Sequence, residues 1–251
     1  MDDHEHLLSL AKEAVQSALR ALVDMGASLP TYRFADDLPR EVKATADRVL
    51  DEEILRRLAP TALPILSEES GELAGTTNAG LQWVVDPLDG TVNFVRGLAP
   101  CAVSIALYHE DSPIFGVIGE YPTLRLAWGG PSIGAYVEHR PVRVSKTNEK
   151  NKAILCTGFP ARFDFDGDAA THFMNRVSAY GKVRMLGAAS LSLLQVAKGS
   201  ADAYAEQDIM LWDVAAGLAL VEGAGGYISI SPGRYRHSLN IFASNGLLQS
   251  D

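Results

Sequence analysis

The stretch Trp83-Val84-Val85-Asp86-Pro87-Leu88-Asp89-Gly90-Thr91-Val92-Asn93-Phe94 places two carboxylates, a hydroxyl and a glycine at one chain reversal. Its apolar start predicts a strand, and Pro87, which cannot donate to a ladder, is where that strand is expected to stop. Gly90 permits a sharp turn, and Thr91 suits the N-cap of a short helical turn through Val92, Asn93 and Phe94. Hard divalent cations take oxygen ligands of this kind, and the N–H groups at such a turn suit phosphate. The spacing narrows the chemistry. A covalent aspartyl-phosphate mechanism of the Asp-x-Asp type is disfavoured, because the residue two before Asp89 is Pro87. A glycosidase needs its two carboxyl groups on opposite sides of a sugar ring. Aspartates three residues apart around a turn are better placed to share cations. A site for several metal ions needs further oxygen ligands, for which Glu68 is the first candidate and Asp213 the second. Taken alone, Asp213 at the head of the 212–221 helix reads more readily as a simple N-cap.

Elements around this stretch must hold those groups. Leu7, Leu10, Ala11, Ala14, Val15, Ala18, Leu19 and Leu22 recur at helical spacing and predict an amphipathic helix over 7–25, stopped by Gly26. A polar segment with Pro30 and Pro39 leads to a second helix from Thr45-Ala46-Asp47 that ends before Pro60. Asp47 in its first turn complements the helix dipole. Ile65-Leu66-Ser67 predicts a short strand ending at Glu68-Glu69. Alternating runs at 101–108, 114–121, 125–128, 135–137 and 142–144 read as antiparallel strands, with Gly129-Gly130-Pro131 among the turns. After the polar run Ser145 to Lys152, strands and helices alternate. The strands are expected at 153–157, 183–186, 201–205, 227–230 and 241–244, and the helices at 169–180, 188–197 and 212–221. This predicts two parts in one compact unit: residues 1–146, helices plus a mostly antiparallel sheet, and residues 147–251, a smaller α/β part carrying Asp213. Asp164-Phe165-Asp166-Gly167-Asp168 starts like a calcium loop, but its glycine comes too early and Asn175 stands where a bidentate glutamate belongs. Glu222-Gly223-Ala224-Gly225-Gly226 follows a helix and precedes a strand, the reverse of a dinucleotide-binding order, and reads as a helix stop.

Hydrophobic content of 47% and charged content of 21% over 251 residues are ordinary for a globular protein. A net charge of −9 argues against nucleic acid or an anionic membrane as partner. It does not exclude small anionic substrates, because bound metal ions reverse the sign of a site locally. The two cysteines, Cys101 and Cys156, lie in apolar runs and predict buried thiols in a reducing compartment. An acidic start without a hydrophobic core behind it, and no apolar run of membrane-spanning length, predict a cytoplasmic protein.

Three separated motifs carry a family resemblance: Ser67-Glu68-Glu69-Ser70, Asp86 to Phe94, and Trp212-Asp213-Val214-Ala215-Ala216-Gly217. Together they resemble the inositol monophosphatase family, in the family's order and at about its separations. Thr45-Ala46-Asp47, Gly187-Ala188-Ala189 and Ala201 to Glu206 extend the similarity over nearly the whole chain. The resemblance implies a layered α-β-α-β-α sugar-phosphatase fold, a homodimer, and Mg²⁺-dependent, lithium-sensitive hydrolysis of small phosphate monoesters. It implies that Glu68, Asp86 and the Leu88 carbonyl hold one Mg²⁺ and that Asp86, Asp89 and Asp213 hold a second, with a third, weaker ion near Glu68. Glu68 and Thr91 would orient and deprotonate the attacking water, with Asp47 holding Thr91. Gly90 and Thr91 would face the phosphate through their N–H groups. Gly187, Ala188, Ala189 and Glu206 would contact the substrate's hydroxyl-bearing part. Departures from the commonest pattern include Ser67 for glycine, Leu88 for isoleucine, and a Gly223 where the family often has glutamate. Val92 and Val95-Arg96-Gly97 are closer to relatives acting on histidinol phosphate. A 3′-phosphonucleotide is a further substrate class, and a scaffold without catalysis a reading from another class.

Overall fold

The computed structural model describes residues 2–26, 32–34, 42–77, 80–159, 163, 165 and 168–249. Pro30, Pro39, Asp164, Asp166 and Gly167, named above, lie outside the described residues. Helix α1 (Asp2–Gly26) buries Ala11, Ala14, Val15, Ala18, Leu19 and Leu22, the stripe its periodicity predicts. A hairpin of β1 (Tyr32–Phe34) and β2 (Val42–Ala44) precedes α2 (Thr45–Leu58), whose buried face includes Leu50, Ile54 and Leu58. Then come β3 (Ile65–Ser67), β4 (Gly71–Leu73), β5 (Leu81–Asp89) and the short helix α3 (Thr91–Val95). Strands β6 (Cys101–His109), β7 (Ser112–Tyr121), β8 (Leu126–Gly130), β9 (Gly134–Val137) and β10 (Arg140–Pro141) form a meander. With β5, β3 and β4 they make a sheet ordered β10-β9-β8-β7-β6-β5-β3-β4, antiparallel except where β3 runs parallel to β5.

The second sheet is built from β11 (Ile154–Thr157), β12 (Lys182–Arg184), β13 (Ala203–Met210), β14 (Tyr227–Pro232) and β15 (Ser238–Ser244). Its order is β12-β11-β13-β15-β14; β11 is parallel to both neighbours, and the β13-β15-β14 side is antiparallel. Helices α4 (Asp168–Ser178), α5 (Ala189–Ala197) and α6 (Leu211–Gly223) complete the chain. The layers follow from which faces are apolar. Helices α1 and α2 cover the outer face of the first sheet, where Trp83, Ile105, Leu107, Phe115 and Val117 are buried. Helices α5 and α6 lie between the two sheets, and Val177 of α4 packs on the far face of the second, with Leu155, Ala203 and Tyr180. The arrangement is α-β-α-β-α.

Helix α6 is buried from Val214 through Val221 because sheet residues and α5 surround it. It approaches closely enough to require glycine on both contacts. A Cβ at Gly116 of β7 would lie 2.4 Å from the Ala216 carbonyl oxygen, and one at Gly217 would lie 2.5 Å from Leu193 Cβ. No helix among the described residues is long and apolar enough to cross a membrane.

Three expectations are corrected. Strand β5 does not stop at Pro87 but runs to Asp89. Its pairing with β6 shifts register between Asp86, opposite Ser104, and Asp89, opposite Ala102, so the missing Pro87 N–H falls in a bulge. Gly129 and Gly130 extend β8, and the turn follows them. Val142–Val144 is not a strand. Val142 N–H bonds the Ala135 carbonyl at 2.9 Å and Val144 N–H the Ala224 carbonyl at 3.3 Å, carrying the chain off the first sheet towards the end of α6.

Candidate metal centre and substrate pocket

The β5 bulge turns the end of the strand into a site. Asp86 is 1% exposed; its Oδ1 accepts the Leu88 N–H at 3.0 Å, while its Oδ2 is buried with no hydrogen-bond partner. Glu68 arrives from the tight turn between β3 and β4, and Asp213 from the first turn of α6. One carboxylate oxygen from each of Glu68, Asp86 and Asp213 lies within 4.8 Å of the others. Asp213 Oδ2 also accepts the Met210 N–H at 3.2 Å, and Ser104 of β6 donates to the neighbouring Trp212 carbonyl at 3.4 Å, which fixes the helix start. The N-cap of α6 is Met210 and not Asp213, which stands at the third helical position and reaches back to the Met210 N–H.

Crowding these groups has an electrostatic consequence. Burial, then Glu68, Asp89 and Asp213, raise the Asp86 carboxyl well above its ordinary value. Burial, then Glu68 and Asp89, do the same to Asp213. Among the described residues no lysine or arginine pairs with Asp86, Asp89 or Asp213. Buried carboxylates without a cation are costly. An all-oxygen donor set with an orphaned Asp86 oxygen fits a hard divalent cation such as Mg²⁺.

Asp89 stands apart from the cluster of three. Its Oδ1 accepts the Ala189 N–H at 3.1 Å and its Oδ2 the Ser190 N–H at 2.8 Å, and the Ser190 hydroxyl also donates to it. It thus sits on the N-terminus of α5. Burial still outweighs those donors and pushes its carboxyl up to about 6.

Thr91 is not the N-cap expected. Gly90, at φ +89°, occupies that position, and Thr91 is the first residue of α3. Its hydroxyl, freed from capping, donates to Asp47 Oδ1 at 2.8 Å and lies 3.1 Å from the Leu88 carbonyl oxygen. Gly90 cannot be replaced cheaply, since a Cβ there would lie 3.1 Å from the Gly187 carbonyl oxygen.

A pocket of about 210 Å³ opens beside the cluster, lined by Asp89, Gly187, Ala188, Ala189, Glu206 and Asp213, with Thr157, Gly158, Phe159, Ser192 and Ile209. Glu206 is buried on β13, where pairing to β15 shifts register, and its Oε2 accepts the Tyr204 hydroxyl at 2.9 Å. Burial lifts its carboxyl to about 7. A Cβ at Gly158 would lie 2.8 Å from Glu206 Oε2, so any larger residue there has to displace the Glu206 carboxylate. Asn93 of α3 donates to the Pro100 and Leu186 carbonyls at 2.7 and 2.8 Å, joining the metal-side loop to the pocket wall.

Several contributors escaped the sequence reading. Asp51 accepts the Ser67 hydroxyl at 2.5 Å and also that of Ser70, bracketing the Glu68-Glu69 turn. It lies one helical turn after Asp47, and two buried aspartates at i and i+4 on one helix face were the available signal. Ser190, next to Ala189, had no signal of its own.

Comparison with known proteins gives a consistent result. The family model described as "Inositol monophosphatase family" matches residues 4–249. An inositol-1-monophosphatase of Synechocystis sp. is 33% identical over 261 residues, covering 99% of this chain and 88% of that protein. A protein named Nus factor SuhB from Xylella fastidiosa is 38% identical over 193 residues, 76% of this chain and 68% of its own. Among solved structures, the inositol monophosphatase of Anabaena superposes with a TM-score of 0.83 at 32% identity, covering 98% of this chain and 92% of that one. The extragenic suppressor protein suhB of Bartonella henselae gives a TM-score of 0.85 at 30% identity, covering 96% and 94%.

Proposed function

This chain belongs to the inositol monophosphatase family, and from that premise we propose that it is a Mg²⁺-dependent hydrolase of inositol monophosphate or a similar small polyol or sugar phosphate. The observation that carries the reading is the unpartnered, buried Asp86 Oδ2 within 4.8 Å of donor oxygens from Glu68 and Asp213. Asp86, Glu68 and the Leu88 carbonyl would hold one ion; Asp86, Asp89 and Asp213 would hold a second, and a third would sit near Glu68. When bound, the ions would neutralise charge developing on the phosphate and acidify a water molecule.

The chain's own groups do the rest. The Thr91 hydroxyl gives its proton to the hydrogen bond with Asp47 Oδ1, so its lone pairs accept from the attacking water and set that water's orientation. Glu68 is the base that takes the water's proton. Asp47 positions Thr91. The Gly90 and Thr91 N–H groups at the start of α3 receive the phosphate. The leaving alcohol would occupy the pocket of about 210 Å³, smaller than the 300–1,000 Å³ or so of sites for drug-sized ligands. There Glu206, near neutral pKa, can accept from or donate to a substrate hydroxyl. On family grounds we assign it as a homodimer inhibited by lithium, and on the cysteine usage and apolar-run lengths of its sequence we assign it to the cytoplasm.

A second reading is a family-like scaffold without catalysis that acts by binding partners, and relatives that carry the name Nus factor SuhB instead of a phosphatase name keep it in view. Phosphate release from inositol monophosphate, histidinol phosphate and a 3′-phosphonucleotide, with and without Mg²⁺, tests both. Mg²⁺-dependent turnover of the inositol ester above the others supports the proposal. No metal-dependent turnover of any ester leaves only the partner reading.

A further inference from the structure

A second concavity lies away from the catalytic pocket, between the β8–β9–β10 arm and the end of α5. It has a volume of about 550 Å³ and is lined by Arg125, Val137, Glu138, Arg140, Val142, Lys198 and Ser200. Its three cations come from separate elements: Arg125 from the turn leading into β8, Arg140 from β10, and Lys198 from the C-terminal cap of α5. No hydrogen bond or ion pair from these three side chains is found among the described residues. Glu138, the acid among the lining residues, accepts the Leu126 N–H at 2.7 Å with Oε1, and its charge leaves the cleft three cations against one anion.

Each cation has a local use. Lys198 complements the carbonyl end of α5, and Arg140 protects an edge strand from pairing. Neither use explains why three converge on one cleft in a chain of net charge −9. Arg125 and Arg140 are exposed, so solvent and salt screen their interaction, but three cations facing one concavity still leave it electropositive, with a mutual repulsion. A multivalent anion relieves it, and guanidinium groups suit phosphate oxygens by their paired donors. The size and the charge count favour a small ligand. A long polyanion needs a run of cations longer than the three that line this cleft.

We propose that this cleft binds a small anion bearing two or more phosphate groups, at a site distinct from the catalytic pocket, through Arg125, Arg140 and Lys198. Inorganic tripolyphosphate titrated calorimetrically into the full chain in EDTA tests this, because without divalent ions the carboxylate-rich catalytic site repels anions. The expected result is saturable 1:1 binding at low salt that weakens at least about tenfold in 0.2 M KCl, where screening is strong. Arg140→Gln and Lys198→Gln should each weaken it by about tenfold with an unchanged melting temperature, while Asp86→Asn leaves it intact. Absence of saturable binding overturns the proposal, as does binding that ignores both variants. Tighter binding of a 12-nucleotide oligonucleotide than of tripolyphosphate, lost in the same variants, overturns it in favour of nucleic acid.

Discussion

Replacing Glu206 by glutamine should make the metal-free protein more stable, and only at neutral to alkaline pH. In the fold this carboxyl is lifted from 4.5 to about 7 by burial, against the opposing hydrogen bond from Tyr204. Between those values the folded chain keeps a proton that the unfolded chain has released. The stabilisation is therefore complete below about pH 4.5 and is lost as pH rises through about 7. At about 1.4 kcal/mol per pH unit, the loss by pH 8 is about 3 kcal/mol. Glutamine stays neutral, and its carbonyl oxygen still accepts the Tyr204 hydroxyl. For a chain of this size each kcal/mol shifts the melting temperature by roughly 2–4 °C. Thermal unfolding in EDTA, followed by circular dichroism from pH 4.5 to 8.5, should show the two proteins together at the acid end. At the alkaline end the variant should melt higher by on the order of 10 °C. Asp86, Asp89 and Asp213 add slopes of the same sign in both proteins, and loss of the Glu206 charge also relieves Asp213, which moves the difference in the same direction. Parallel curves, or a variant less stable at every pH, would show that Glu206 is ionised in the folded pocket and refute the reasoning.

Binding of Mg²⁺ should release protons at pH 6.5, because carboxyls raised by burial and by one another must ionise to bind a cation; calorimetry in buffers of different ionisation enthalpy gives the number, and zero release contradicts a shared cluster. Thr91→Val removes the hydroxyl between Asp47 and Leu88 and should cost stability only about 1 kcal/mol while lowering kcat on the order of 100-fold; steady-state kinetics beside a melt separate the two. Gly116→Ala forces a methyl into the Ala216 backbone at 2.4 Å and should destabilise by roughly 1–3 kcal/mol, read by urea unfolding.

What the sequence made legible follows from how local each feature is. The α1 stripe of Ala11, Val15, Leu19 and Leu22 faces one way, so periodicity located it. Helix α6 has almost no polar side from Val214 to Val221, and its position came from alternation with strands. Pro87 misled because the usual cost of proline in a strand disappears in a bulge, and a bulge depends on the partner β6. Thr91 misled because Gly90 took the cap, releasing the hydroxyl for Asp47. The motifs around Glu68, Asp86 and Asp213 marked candidate ligands far apart in the chain, and the fold brings those three together. The burial of Glu206 and the engagement of Asp89 by α5 arise from tertiary contacts and left no trace in spacing.

The central claim is that the Asp86 cluster holds the Mg²⁺ on which phosphate release depends. Its most direct test is release from inositol monophosphate against Mg²⁺ concentration, for the wild type and Asp86→Asn. The account predicts saturable activation of the wild type, abolition by EDTA, and a fall of at least about 1,000-fold in a variant that still folds. Release that persists in EDTA, or in Asp86→Asn at wild-type rate, would contradict it.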